Sequence, residues 1–533
     1  MNQLFSIQYG FPLLVTMVYF LCLIFHGLGK LKISTGFFLL ISAGYIGLVR
    51  LFDCQLLWSN PDVDQWIVCA RSMVDEPSFW LKEYAIYDFT RLMTIVPIAL
   101  VYWIFGAVGY FEVSVLFLIS FFVFVVLQTK MLIRFFEQRV VFLSVGLLVI
   151  YVVMSNHHNM RAFNSEIPVA LLFSAVAYLW LLEKVNPKKV FWMGWILSMM
   201  PFAKEQALYI ALLSFAYILV DFVRKKQWVL VGSMLLGGLF GGALWMLILV
   251  VRVGLEPILA VVSSISEYGQ MGLRQQAMVI AEKIHIFSQV IWLNKEMLVL
   301  FPIVLMGLFV GLVQLRKKDF QRSMYFFFAT TLIVACYVIY LPHNRFTHYH
   351  ILLWPMVPYF IVVFITYAKE RLRQYTYYLL PVLMFPFVLD VAYSRMRAWH
   401  PEEKEMQKIE KWQQDSYVKS LEHHQVSGSK MMVWGWDNRA LVLYDIKRAS
   451  GFLYPQYAFG KYSGTERVRD NYLHFMETVQ PTFVLELVGN GRYFFNNLEQ
   501  FGISENFTAL QSLLSQRYRL LESGSNFKLY KKI

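Results

Sequence analysis

Asp62 and Asp64, set one residue apart in PDVDQW, are the first side chains whose types and spacing could do chemistry. A carboxylate within hydrogen-bond reach of a hydroxyl or amine can take its proton as a general base. An acid at the start of a helix is equally a cap for unsatisfied N–H groups. The QWIVCARSM that follows Asp64 has helical apolar spacing, so the pattern divides evenly between base and cap. The stretch they open, residues 60–91, also carries Asp75, Glu76, Glu83 and Asp88, with few basic residues until Lys82 and Arg91. Carboxylates this dense cannot sit in hydrocarbon, so the segment lies in water or lines a watery cavity.

Three later stretches hold further candidates. NHHNMRAFNSE brings His157, His158, Arg161 and Glu166. Adjacent histidines face different ways on a helix, which argues against a two-His metal clamp. Glu166 opens an apolar run, where an acid either caps the helix dipole or faces a polar cavity. Lys204 and Glu205 interrupt two apolar runs, either as a solvated turn or local ion pair, or with Lys204 as a cation for a phosphate at the membrane face. In LPHNRFTHYHILLWP, Arg345, His348, Tyr349 and His350 cluster at a helix start. A helix N-terminus and a guanidinium both favour phosphate there, while a snorkelling Arg among interfacial aromatics is the plainer alternative.

The elements that must position these residues are membrane helices. Of 533 residues, 58% are hydrophobic and 16% charged, and the mean hydropathy is +0.51, values of a polytopic membrane protein. The net charge of +13 comes in short basic clusters between apolar runs, the arrangement of cytoplasmic loops, and this argues against nucleic acid as a partner. Apolar runs predict about twelve spans, near residues 10–28, 33–51, 112–130, 140–155, 166–183, 190–203, 205–221, 228–251, 296–315, 323–341, 349–368 and 375–393. The run at residues 11–27 lacks a basic lead-in and continues into KLK and a second run, so it reads as a permanent first span. The basic clusters then alternate onto the cytoplasmic side, provided that the short run 94–106, with its Pro97, lies along the interface as a juxtamembrane helix. The first external loop is thus expected over about residues 52–109. Cys22 and Cys336 fall in apolar runs; only Cys54 and Cys69 could meet, and free buried thiols are the commoner outcome.

The tail changes character at about residue 394, which divides the chain into a membrane domain, 1–393, and an extracytoplasmic α/β domain, 394–533. PEEKEMQKIEKWQQD is charged and helical in pattern, MMVWGW and TFVLELV read as buried strands, and YRLLESGSNFKLYKKI reads as two strands about a Gly-Ser-Asn turn. No internal repeat or low-complexity segment is evident.

An early Asp in an external loop, a basic residue ahead of a juxtamembrane helix, an acid opening a later span, and R-x-x-HY-x-x-x-x-P in this order resemble the GT-C glycosyltransferases. The nearest likeness is to their dolichyl-phosphate-mannose-protein mannosyltransferase-like and aminoarabinose-transferase-like members, and it covers residues 52–367. The tail, with GWDNR and QPTFVLEL, is similar to the small extracytoplasmic domain that many members carry. The resemblance implies a GT-C-like fold and transfer of a sugar from a polyprenyl-phosphate donor to a glycan, lipid or protein acceptor, on the outer face of the plasma membrane. It makes Asp64 the catalytic carboxylate, Arg91 the basic residue ahead of the juxtamembrane helix, Glu166 the acid of the second loop, and Arg345, His348 and Tyr349 the late motif near the lipid phosphate. The residues themselves add Asp62 as a further acid and Arg91 and Lys204 as further cations for the donor phosphate. The family's Asp-Glu in the first loop and Pro-Pro after the basic residue are replaced here by Asp64-Gln65 and Arg91-Leu92-Met93. No cofactor is fixed by the sequence; Asp62, Asp64 and Glu166 could share a divalent cation, although their spacing does not demand one. The alternatives are a transporter or flippase, which predicts internal repeats, and a polysaccharide polymerase acting on lipid-linked sugars.

Overall fold

The structure is a computed structural model that describes residues 2–50, 61–155, 163–182, 184–256, 258–259, 297–317, 320–340, 347–367, 412–435, 437–451, 453, 458, 465–487, 503, 507–525 and 527–533. In chain order, α1 (Asn2–Gly27) and α2 (Thr35–Arg50) precede α3 (Pro61–Asp75). A run of short turns from Pro77 leads into α4 (Leu92–Phe105). Then come α5 (Tyr110–Leu132), α6 (Gln138–Met154), α7 (Glu166–Trp180), α8 (Pro187–Met199), α9 (Ala207–Arg224), α10 (Trp228–Gly238), α11 (Leu244–Val253), α12 (Met297–Gln314), α13 (Arg322–Tyr340) and α14 (Val357–Tyr367). The C-terminal elements are α15 (Ser416–His423), β1 (Lys430–Trp434), α16 (Arg439–Leu443), β2 (Lys447–Arg448), α17 (Thr465–Thr478), β3 (Phe483–Leu487), α18 (Thr508–Arg517), β4 (Tyr518–Ser523) and β5 (Phe527–Lys532).

Among the described residues five helical runs are long and apolar enough to cross a membrane, and six shorter apolar helices accompany them. With one small sheet, this is the makeup of a helical membrane protein. The chain divides into two compact units. One holds residues 1–56, 114–245 and 276–403; the other holds 57–113, 246–275 and 404–533. Residues 57–113 therefore group with the tail, whereas the hydropathy break at about residue 394 had placed them with the membrane helices.

The first unit packs around α6, whose residues Val140–Met154 are all buried. Phe38 of α2 stacks on Phe142 with ring centroids 4.1 Å apart, and Tyr19 stacks on Tyr45 at 4.5 Å. Such offset pairs add about 0.5–1.5 kcal/mol beyond the area they bury. The buried guanidinium of Arg50 donates to the carbonyls of Val152 and Ser155, at the open C-terminal end of α6. The span expected at 349–368 is a 3-10 run, Thr347–Leu353, followed by α14. Pro355 lacks an N–H and cannot continue a helix, and Pro358 sits in the first turn of α14, where no N–H is needed. The span expected at 375–393 lies outside the described residues.

Helices α8 and α10 approach through glycine. A Cβ at Gly237 would come within 1.9 Å of the Phe191 carbonyl oxygen, and one at Gly194 within 2.2 Å of the Met234 carbonyl oxygen. Gly237 and Gly241 form a small-xxx-small pair, the arrangement that lets membrane helices touch backbone to backbone. Gly237→Leu must push α8 and α10 apart and is expected to destabilise the protein by about 1–3 kcal/mol. Thermal unfolding of the purified protein in detergent measures this, against Gly232→Leu, where a Cβ meets nothing within 4 Å.

In the second unit α3 packs on α4. The expected juxtamembrane helix at 94–106 is the last segment of a 29-residue helical run, Pro77–Phe105, which contains a π turn at Trp80–Tyr84 and a 3-10 turn at Phe89–Arg91. That whole run is one of the five long and apolar enough to cross a membrane, which differs from the interfacial placement expected for 94–106; its last segment, α4, has 14 residues and is about 21 Å long. Its far end exposes Leu100, Trp103, Ile104 and Phe105. The tail forms a five-stranded sheet of order β2-β1-β3-β5-β4. β2, β1 and β3 run parallel, joined through α16 and α17, while β5 and β4 are an antiparallel hairpin. Strands at MMVW and FVLEL and the C-terminal hairpin match the sequence pattern; β2, only two residues long, leaves none.

Candidate functional site

In the second unit, α3 begins at Pro61, the first-turn position that proline suits, so Asp62 and Asp64 both fall inside the first turn rather than at the cap. Negative side chains there lie in the favourable field of the helix N-terminus. Asp64 is 1% exposed, and its Oδ1 accepts a hydrogen bond of 2.6 Å from the Tyr110 hydroxyl. Asp62 is half-buried. Arg91 immediately precedes α4; its guanidinium donates to the Thr90 carbonyl at 3.0 Å and lies 5.8 Å from the centroid of the Trp66 ring on α3. Asp64 and Arg91 are thus held within the same unit, through α3 and the start of α4.

The first unit holds the second group. Glu166 is the first residue of α7 and is fully buried. It takes the Lys204 ammonium on Oε1, and the Ser165 hydroxyl reaches Oε2 at 3.4 Å. Lys204 is itself buried, with Nζ 4.2 Å from the Tyr349 ring centroid. Lys204 is therefore no solvated turn: it is an ion-paired cation over an aromatic face, and its partner is Glu166 rather than the adjacent Glu205. A charge so enclosed is tolerated because carboxylate and ring together replace its hydration. Next to Tyr349, the His350 Nε2 pairs with the Tyr151 hydroxyl at 2.7 Å. Arg345, His157, His158 and Arg161 lie outside the described residues, as does the side chain of His348. Among the described residues no three His, Cys, Asp or Glu side chains gather as a metal site.

Sequence reasoning missed one polar cluster in the second unit. The Arg448 guanidinium of β2 meets Asp88 at 3.0 and 2.5 Å, and both are buried. Trp80 Nε1 donates to the same carboxylate at 2.7 Å, and the guanidinium lies 3.9 Å from the Tyr84 ring centroid. Burial penalises the charge on Arg448 more than any other single influence acts on it, but Asp88, Cys69 and Tyr84 together raise its pKa above the ordinary guanidinium range. Cys69 of α3 is a free thiol 3.3 Å from Asp88 Oδ1 and from the Arg448 guanidinium; Cys54 lies outside the described residues. Burial pushes the Cys69 thiol well above its ordinary range, with Asp88 adding to the shift and Arg448 opposing it. Only the thiolate is nucleophilic. Cys69 is expected to resist maleimide at pH 7–9 in the folded protein and to label fully in denaturant, as mass spectrometry would read; rapid labelling of the folded chain would refute its burial.

No protein-family model matches the chain, and no curated protein matches it.

Proposed function

We propose that this chain is an integral-membrane glycosyltransferase of the GT-C kind. It moves a sugar from a polyprenyl-phosphate donor to a glycan, lipid or protein acceptor on the extracytoplasmic face of the plasma membrane. The observation that carries the reading is Asp64: a carboxylate buried in the first turn of α3, oriented by a tyrosine hydroxyl, in a chain with membrane-spanning helices. A carboxylate kept out of bulk water and held by a fixed donor suits proton abstraction better than helix capping, which needs no burial.

The chemistry is a direct displacement. Asp64 takes the proton of an acceptor hydroxyl or amine, and the freed electron pair attacks the anomeric carbon. The bond from that carbon to the phosphate oxygen breaks, and polyprenyl phosphate leaves with its electrons. The phosphate gathers negative charge as this happens, so cations that face it lower the barrier. Arg91 and Lys204 are assigned to this role together with Arg345, His348 and Tyr349, and Asp62 and Glu166 are the accompanying acids. Lys204 is held by the Glu166 carboxylate and the Tyr349 ring.

The test is to offer purified protein in nanodiscs a panel of polyprenyl-phosphate sugars and to follow polyprenyl phosphate release and sugar transfer. Turnover of one donor supports the reading and names the sugar. Failure to turn over any donor, with no binding of polyprenyl phosphate, sets the reading aside in favour of a transporter.

A further inference from the structure

Arg71 lies seven residues beyond Asp64 on α3, which is two turns, about 10.5 Å along the axis and on the same face. Both side chains are tied to residues 108–110, where the segment after α4 runs into the first residue of α5. The Tyr110 hydroxyl donates to Asp64 Oδ1 at 2.6 Å, and Arg71 Nη2 donates to the Val108 carbonyl at 2.8 Å. The other end of the same guanidinium turns to α16 of the tail and the turn that follows it. Nη1 donates to the carbonyls of Val442 at 3.1 Å and Leu441 at 3.4 Å, and meets Asp445 Oδ1 at 3.3 Å. Those carbonyls lie in the last turn of α16, where C=O groups have no partner within the helix and a cation is favoured. One planar fork therefore joins α3, the 108–110 segment and the tail. A lysine, a single point charge on a flexible stem, cannot make the same set of bonds.

Resting on the reading of Asp64 as general base, we infer that Arg71 is a positioning residue for that base, and that the C-terminal unit takes part in catalysis by holding α3 through it. A rigid helix transmits a displacement at Arg71 to Asp64 two turns away. Displacing a reacting group by about 1 Å can reduce the rate on the order of a hundredfold.

The test uses the full chain with Arg71→Met, Arg71→Lys and, as a control elsewhere in the same unit, Ser420→Ala, which removes the 2.6 Å bond from Ser420 Oγ to Glu522. Arg71→Met is expected to lower kcat about ten- to a hundredfold with the donor KM within about twofold of wild type. It is also expected to speed amide exchange across residues 61–75. Arg71→Lys should recover only part of the loss, and Ser420→Ala should lower the melting temperature without lowering kcat. An unchanged kcat, a loss confined to KM, or unchanged exchange in α3 overturns the inference. If wild-type protein turns over no donor, the glycosyltransferase reading falls by itself, and the exchange measurement alone decides whether Arg71 holds α3.

Discussion

Asp64→Asn is expected to leave the protein folded and to reduce sugar transfer about 10²–10⁴-fold. The substitution is nearly isosteric. The amide oxygen still accepts from Tyr110, so the 2.6 Å bond that orients the side chain survives. What disappears is basicity: an amide cannot take the acceptor's proton, and the step must run with water or with an unassisted nucleophile. Donor binding rests on cations, so KM for the donor should move little while kcat falls, the mark of an interaction made in the transition state. Asp62→Asn supplies the comparison, because Asp62 shares the first turn of α3 but is only half-buried. If Asp64→Asn turns over like wild type while Asp62→Asn or Glu166→Gln does not, the base is one of those acids and Asp64 only orders the helix start. If neither Asp64→Asn nor the other two loses activity, none of these three carboxylates is the base.

The membrane helices were legible because hydrocarbon demands long apolar runs, and the basic clusters between them marked their ends. Strands β1 and β3 were legible for a related reason: MMVW and FVLEL are short, apolar and bounded by turn residues. The early acids stood out by type, and the buried position of Asp64 gives that signal physical content. Other features left no local trace. Lys204 read either as part of a solvated turn or local ion pair with Glu205 or as a cation for a phosphate, and neither reading revealed its partner Glu166, 38 residues away. Arg71 sits in an ordinary helical stretch; three of its partners are carbonyls, which no side-chain pattern reveals, and the fourth, Asp445, is 374 residues away. Residues 57–113 group with the tail although they lie in the N-terminal part of the chain. Composition reports which solvent a segment prefers; it does not report which segment it packs against.

The Asp88 and Arg448 pair is where that hidden packing should be most costly to disturb. The two are 360 residues apart, both are buried, and together they join the turn ahead of α4 to β2. Asp88→Asn keeps an acceptor for the Trp80 indole but leaves a guanidinium in a buried setting without its counter-charge. Removing one partner of such a pair typically costs about 3–5 kcal/mol. Arg448→Met is expected to fall in the same range, since it leaves a carboxylate with the Trp80 N–H and the Cys69 thiol in place of a cation. The double variant removes both charges at once, and its loss should be well below the sum of the two, giving a coupling of about 1–3 kcal/mol. Thermal unfolding of the full chain in one detergent, followed by tryptophan fluorescence, measures all four proteins. Strict additivity would mean that the charges act independently and that the sheet is held to residues 77–91 by other contacts, such as the stacking of Tyr84 on Phe475 at 5.4 Å. Strong coupling would mean that this ion pair fixes where the loop sits on the sheet. The same guanidinium also touches α3, at Cys69, five residues beyond Asp64.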